Sequence, residues 1–561
     1  MENHENGNAT GSFGLTFVVL AIVLILLGYG LLVAKNLPQS WTAQANAIHA
    51  EHEHEHAAEH GHGAEHGQEA DHAAVKNHPP YWMIIPFALL LLAIAILPLI
   101  HATEHWWESN LHRFYVAAGL GLLTLLYYYT MCDFPVEQHW PGHAVVSPET
   151  DGGFAVAKTI FINAIISEFI PFIVLLFSLF TITGGIRIEG NLKATPMTNS
   201  KIIFIGSVLA SFVGTTGAAM LLIRLLIETN KERKHKVHTI VFFIFCVCNC
   251  GGCLLPIGDP PLFLGYLQGI DFLWTLHLYK EWLFVNCFVI AIFFVWDTFW
   301  FYPRETKPDK ALDASNQTGL KISGLGVNLP LLIGVVLAVA LLDPTKPFPG
   351  TTWYPWYFLR EMIQLGLCAV SIAVGSKKIR FANSFNFAAI IEVAALFFGI
   401  FICMQAPLQI LNEEGKNLVA TVESKTGVSK PKLFYWATGA LSSVLDNAPT
   451  YVVFFQTAKS LSPNSEEEML ADPEYKAKHE KGEMVPIKGG KSGYIDFHLL
   501  AAVSLGAVFM GSMTYIGNGP NFMVKAIAEQ SGVKMPSFFG YMAYSCLILL
   551  PIFVIMTLIF L

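Results

Sequence analysis

From its sequence this chain is expected to be an all-α polytopic membrane protein made of inverted repeats, each with a re-entrant hairpin and a discontinuous transmembrane helix. Three features lead there. Of its 561 residues, 53% are hydrophobic and only 14% charged, and about ten apolar runs reach the roughly 17–25 residues that cross a bilayer core as helix. Within one of them, residues 249–263 place two adjacent glycines, three prolines and Asp259 in succession. Glycine and proline break the helical hydrogen-bond ladder, and lipid supplies no water to replace it, so such a break must line a protein-enclosed cavity. Third, this break recurs: residues 252–263 align without gaps on 511–522, 259 positions later, with five identities. Interrupted apolar segments at matching places in two halves are the sequence mark of a repeat-built transporter.

In order, 13–34 is a first span or a signal peptide. The absence of Lys or Arg in 1–12 favours an uncleaved anchor. Residues 37–80 form a low-complexity segment in which His alternates with Glu and Ala. Its His52, His54, His56, His60 and His62 are candidate ligands for a transition metal or pH-responsive charges, set against a plain polar tail. Accessory spans occupy 81–100 and 111–131, so that 81–158 precedes the repeats. The first repeat, 159–302, holds a span at 159–186, a hairpin at 202–229 with a polar tip around Gly214 and Thr215, the broken span 239–272, and a span at 281–302. A basic linker, 303–325, leads to the second repeat, 326–561. There the spans are 327–342, 356–375 and 385–405, then a hairpin at 433–457 tipped by Ser443, Asp446 and Asn447, the broken span 494–529 and a last helix at 537–561.

Charge orients these elements. Both flanks of the first hairpin are basic, as are 304–321 and 377–380, whereas the flanks of the second hairpin, 412–432 and 460–493, are rich in Glu. By the positive-inside rule the two hairpins enter from opposite faces, with the N-terminus cytoplasmic and the His-rich segment outside an inner (cytoplasmic) membrane. The net charge of −8 sits in loops, and no basic patch with interleaved aromatics points to nucleic acid. Nine cysteines, nearly all in apolar segments, suggest no disulfide framework.

The polar groups at the two tips and two breaks are the candidate ion site: Asn249, Asp259, Thr215, Thr216, Ser443, Asp446, Asn447, Asn518 and Asn521. Oxygen donors suit hard cations such as Na+, and two aspartates at membrane depth favour a cation or protons over a multiply charged anion. The alternative for either aspartate is a permanent helix cap. Glu168 and Glu392, in matching spans of the two repeats, are possible proton-relay groups, unless they pair with a cation such as Arg224. Cys246, Cys248, Cys250 and Cys253 precede the first break. They are packing residues or, for a thiophilic cargo such as arsenite, soft ligands.

Asn249, Gly251-Gly252 and Pro256 to Asp259, together with Ser443, Asp446-Asn447 and Pro449, resemble NhaD-type sodium/proton antiporters. That family lies within a wider ion-transporter superfamily that also holds arsenite permeases and citrate and dicarboxylate carriers. The resemblance covers about 159–561. It implies scaffold helices around a moving transport unit, a homodimer, an elevator motion, and Asp259, Asp446 and Asn447 as the ion site. Two features depart from it. Gly214-Thr215 stands where NhaD-type proteins usually have a second Asp-Asn pair, and Asn518-Gly519-Pro520-Asn521 looks more like the arsenite and citrate branch. The expectation is a transporter, not an enzyme and without cofactor, that exchanges Na+ or Li+ for H+. A cation-coupled citrate or dicarboxylate symporter, an arsenite or metal-ion carrier and a receptor stand as alternatives.

Overall fold

A computed structural model describes residues 2–47, 78–141, 144–488 and 493–561. The five candidate histidines, His52 to His62, lie outside the described residues. The architecture is helical, with three small two-stranded sheets in loops among the described residues. Five of the described helices are long and apolar enough to cross a membrane, or up to seven if each bent pair is one span. The halves of the two broken helices fall short of that length. Val237–Val247, for example, has 11 residues and is only about 16 Å long.

The first hairpin consists of Pro196–Val213 and Thr215–Thr229, joined at Gly214. Thr195 caps the first arm by accepting from the Thr198 amide, and Pro196 sits where a missing N–H costs nothing. Gly214 has φ of 80°, a conformation that favours glycine, so the chain reverses there within one residue. The two arms are joined at their roots by reciprocal amide bonds between Asn199 and Asn230, both 2.8 Å. The second hairpin, Lys430–Ser442 and Asn447–Ser460, has a longer tip, closed by the Asp446 side chain accepting from the Ala448 amide at 3.0 Å.

Both broken spans repeat one design. Val237–Val247 and Phe497–Met510 each give way to a short 3-10 turn, Cys250–Cys253 and Gly511–Met513, before a second half-helix begins at Pro260–Leu267 or Gly519–Gln530. The residue before each second half-helix has the same extended backbone, with φ and ψ of −141° and 142° at Asp259 and −154° and 138° at Asn518. Inside each break a glycine is pressed onto a carbonyl. A Cβ on Gly258 would stand 2.2 Å from the Gly252 oxygen, and one on Gly517 would stand 2.6 Å from the Gly511 oxygen. The gap-free sequence match therefore corresponds to one backbone path used twice.

The loops sort onto two faces. On one, strand Arg187–Asn191 pairs antiparallel with Thr318–Ser323 of the linker, Arg187 donates to Ala382, Arg224 donates to the Asn383 carbonyl at 2.8 Å, and the Ala194 amide meets Asp313 at 3.2 Å. This is the face of the basic loops and of the first hairpin's roots. On the other, Tyr29 donates to the Tyr357 carbonyl at 2.9 Å, Trp41 packs on Trp140, and the Lys488 amide bonds the Gly269 carbonyl at 2.9 Å. The second hairpin is rooted here, where the Tyr494 amide donates to Pro463 at 2.9 Å.

One flank differs from expectation. The Glu-rich stretch after 405 continues as a helix, Gln405–Thr426, bent by 43° from Ala388–Cys403. Glu413, Lys416 and Asn417 are exposed while Gly415 lets the helix close on the second hairpin, where a Cβ would meet the Ser460 hydroxyl at 2.4 Å.

Candidate functional site

Each break frees backbone groups that must find partners inside the protein. In the first, the Gly251 carbonyl accepts from Ser211 Oγ at 2.6 Å and Trp282 Nε1 at 3.1 Å. The Cys250 carbonyl accepts from Asn286 Nδ2 at 3.2 Å, and the Gly258 carbonyl from the Thr215 amide at 2.8 Å. In the second, Asn521 Nδ2 bridges the Gly511 and Thr514 carbonyls, both at 2.9 Å, while Tyr541 and Ser545 of the last helix donate to Ser512 at 2.9 Å and Met513 at 2.6 Å. Thr514 Oγ1 donates to the Ser443 carbonyl at 2.6 Å, which fastens the second tip onto the second break.

Asp259 is where the two repeats meet. Its Oδ1 accepts from Thr215 Oγ1 at 2.9 Å and Asn518 Nδ2 at 3.0 Å, and its Oδ2 from Asn447 Nδ2 at 2.6 Å. One carboxylate thus collects a donor from the first tip, the second tip and the second break. Asn518 also donates to the Cys248 carbonyl at 3.0 Å, and Asn249 donates to Asn521 Oδ1 at 2.7 Å, so the two breaks are cross-bonded twice more. Asp259 is 1% exposed, and these three side-chain donors are all neutral. Asn249 Oδ1 is buried, abuts Gly511 and has no hydrogen-bond partner among the described residues.

The remaining sequence candidates divide. Asn249, Thr215, Asn447, Asn518 and Asn521 join this ring. Asp446 lies beside it, but its carboxylate caps the second hairpin's inner helix, the structural role that competed with ion binding. Ser443 contributes its carbonyl, since its hydroxyl donates to Ala440 of its own helix at 2.7 Å. Thr216 is half-buried and is not among the side chains bonded to Asp259.

Glu392 is away from the ring and forms an ion pair with Arg113 at 3.0 Å. Glu168 sits in a π-helical turn, Asn163–Phe169, the kind of local widening often found at functional sites. It takes bonds from Gln405 at 3.2 Å and Gln268 at 3.4 Å and lines a cavity of about 130 Å³ with Tyr266, Asp343, Arg360 and Lys488. Arg224 is held on the basic-loop face by Asn383. The four cysteines before the first break are reduced and buried, and no group of three or more His, Cys, Asp or Glu among the described residues is arranged to hold a metal.

Sequence reasoning missed Trp282, Asn286, Tyr541 and Ser545, which satisfy the freed carbonyls. The available signal was a polar side chain, Asn286 or Ser545, within the apolar stretch of each helix, with Asn286 one turn after Trp282 on the same face.

Chemically, the arrangement offers one ionisable group ringed by hydroxyl and amide groups whose oxygens can turn toward a cation when their donors leave the carboxylate.

Among solved structures, the Alcanivorax borkumensis YdaH transporter, whose crystal structure shows an unusual topology, is 14% identical over 85% of this chain and 97% of its own, with a TM-score of 0.39. At that score the two differ too much for one to inform the other. No curated protein matches the sequence. Residues 76–561 match the sequence profile of the CitMHS_2 family, described as "Putative citrate transport", and because that match spans most of the chain, this protein belongs to that family of membrane transporters.

Proposed function

We propose that the protein exchanges Na+ or Li+ for H+ across the inner membrane at Asp259. The observation that carries this reading is a single buried carboxylate at the junction of both hairpin tips and both breaks, bonded by neutral oxygen-bearing side chains. A buried carboxylate in such a setting, with Asp446 beside it, favours either a proton or a monovalent cation, and competition between them yields antiport. Thr215, Asn447 and Asn518 hold the carboxylate when no cation is bound. Asn249 Oδ1, already without a donor, is the first oxygen available to a dehydrated ion. Asp446 shapes the second tip, and Glu168, in its cavity, is the better placed of the two glutamates to pass a proton.

In this reading the basic-loop face and the N-terminus are cytoplasmic, the repeats 159–302 and 326–561 move their tips and breaks as one unit by an elevator motion, and the protein is a homodimer. The family's description favours a second reading, cation-coupled symport of citrate or a related anion. There Asp259 would serve the coupling ion alone.

The deciding experiment follows a pH dye in proteoliposomes on addition of Na+, Li+, K+ and citrate, with wild type and Asp259→Asn. Dissipation of an imposed pH gradient by Na+ or Li+, lost in the variant, supports exchange. Silence to cations combined with citrate-dependent uptake replaces it with symport.

A further inference from the structure

Backbone carbonyls fix how two side-chain amides lie across the breaks, and one oxygen is left over. Asn521 Nδ2 spends both hydrogens on the Gly511 and Thr514 carbonyls, so its Oδ1 points the other way, toward the first break. There it accepts from Asn249 Nδ2 at 2.7 Å, and the other Asn249 amide hydrogen goes to the Ile244 carbonyl at 2.8 Å. Turning either amide over would set its oxygen directly against a carbonyl oxygen, a repulsion that no water relieves, since both residues are 0% exposed. Asn249 Oδ1 is thereby held in one direction, with no hydrogen-bond partner among the described residues.

That direction is toward a small space beside Gly511. The point where a Cβ on Gly511 would stand lies 3.3 Å from Asn249 Oδ1, 3.2 Å from the Gly517 carbonyl oxygen and 3.6 Å from Asn447 Nδ2. Gly511 has an ordinary helical φ of −56°, so its backbone does not call for glycine. What the missing Cβ leaves is room for one small atom. The Gly517 carbonyl is also free to serve it. Its counterpart in the first break, the Gly258 carbonyl, accepts from the Thr215 amide at 2.8 Å, whereas no backbone amide among the described residues reaches Gly517. Asn447 joins this space to the ion site, because the same Nδ2 donates to Asp259 Oδ2 at 2.6 Å.

Electrostatics in this space favour a cation. Two half-helices end here: Asn249 follows Val237–Val247 after one residue, and Gly511 comes directly after Phe497–Met510. Each helix C-terminus carries about half a negative charge. An anion would meet two such ends and two oxygens, while a hard cation finds neutral oxygen ligands with Asp259 one amide away to balance its charge.

We infer that a dehydrated monovalent cation, Na+ or Li+, is held beside Gly511 between the two breaks, with Asn249 Oδ1 and the Gly517 carbonyl as ligands, and that Asn521 is the positioning residue that keeps Asn249 Oδ1 turned to it. Asn447 releases Asp259 and turns its own oxygen to the ion as it enters. The device exists once, since the position aligned with Asn521 in the first repeat is Leu262. This subsite deepens the reading of Asp259 above: the ion it holds is the one that competes with the proton there.

The test is thermal stabilisation of the full-length protein in lipid nanodiscs at pH 8, titrated with NaCl or LiCl against choline chloride at constant ionic strength. It yields an apparent affinity that needs no transport. Melting in choline chloride alone reports damage to the fold separately. In Gly511→Ala the neighbours need give only a few tenths of an ångström, but the methyl takes the place of the ion. In Asn249→Ala a ligand is lost. Each is expected to weaken Na+ at least about tenfold, with the smaller Li+ less affected in Gly511→Ala. Asn521→Leu, which copies the first repeat, is expected to weaken Na+ about 10- to 100-fold alone and less than about twofold when added to Asn249→Ala, because it acts through that side chain. Asn521→Ala replaces it should the leucine variant fail to fold. A wild type that gains no stability from Na+ or Li+ over choline, or affinities within about threefold of wild type in Gly511→Ala and Asn249→Ala, overturns the subsite. A full second loss in the double variant overturns the role of Asn521. Na+ binding with these variant effects, but without dissipation of the pH gradient in the flux assay, removes exchange and upholds the subsite as that of a coupling ion.

Discussion

Replacing Gly258 by alanine tests the architecture of the first break at its tightest point. The added Cβ would stand 2.2 Å from the Gly252 oxygen, 2.9 Å from the Gly252 carbonyl carbon and 3.0 Å from Ser211 Cα, all of them backbone atoms. Ordinary contact begins near 3.4 Å, so the break must open by about an ångström along a path already bonded at Gly251 and Gly258. Overpacking of this kind costs about 1–3 kcal/mol, and the Thr215 amide bond to the Gly258 carbonyl adds about 1 kcal/mol if it is lost. The total, about 3 kcal/mol, falls on the residue next to Asp259.

The equivalent Gly517→Ala meets the Gly511 oxygen at 2.6 Å and the Ser442 oxygen at 2.8 Å. It is expected to be milder, at about 1–2 kcal/mol. Gly326→Ala has open space around it in the helix Leu325–Leu341 and is expected to be neutral or stabilising by up to about 1 kcal/mol. Thermal melting of the purified protein, followed by size-exclusion elution and paired with proteoliposome flux, should rank Gly326→Ala at or above wild type, then Gly517→Ala, then Gly258→Ala, with flux lost in the last. A Gly258→Ala variant as stable and active as Gly326→Ala would refute the shared backbone path.

Other outcomes can be measured alongside. Asp259→Asn should reduce flux at least 100-fold with melting preserved, because the amide keeps the shape but not the charge, whereas Ser443→Ala should remain within about threefold of wild type because that hydroxyl serves only its own helix. Gly269→Ala places a Cβ 2.1 Å from the Lys488 oxygen at a φ of +100°. A loss of about 2–4 kcal/mol is expected, read as a lower melting temperature. Removing both charges of the Arg113 and Glu392 pair by double glutamine substitution should leave flux per folded protein within about threefold, which separates Glu392 from the site.

Much of this molecule was legible along the chain. A proline and glycine run in an apolar segment has no other way to be stable in lipid, and its recurrence after 259 residues announced two such breaks and the elements around them. The charge of the loops placed the hairpin roots on opposite faces, and the structure gathers those same loops into two groups. Asp259, Asn447 and Asn518 were candidates from residue type and depth alone. Less legible was the distinction between Asp259 and Asp446. Both are aspartates in or next to a break, and a carboxylate at a helix start can equally cap that helix or face away from it.

Tertiary structure decided that distinction. Asp446 turns onto its own Ala448 amide, while Asp259, equally at a helix start, makes no cap and receives bonds from segments 44, 188 and 259 residues away. Long-range packing also selected Trp282, Asn286, Tyr541 and Ser545 as partners of the freed carbonyls, and set Glu392 against Arg113 while leaving Glu168 beside a cavity. Local chemistry dictates where a helix must break, because the missing hydrogen bonds belong to the residues themselves. Which side chain repairs each break, and which carboxylate is left without a helix to cap, depends on elements that only the folded chain brings together.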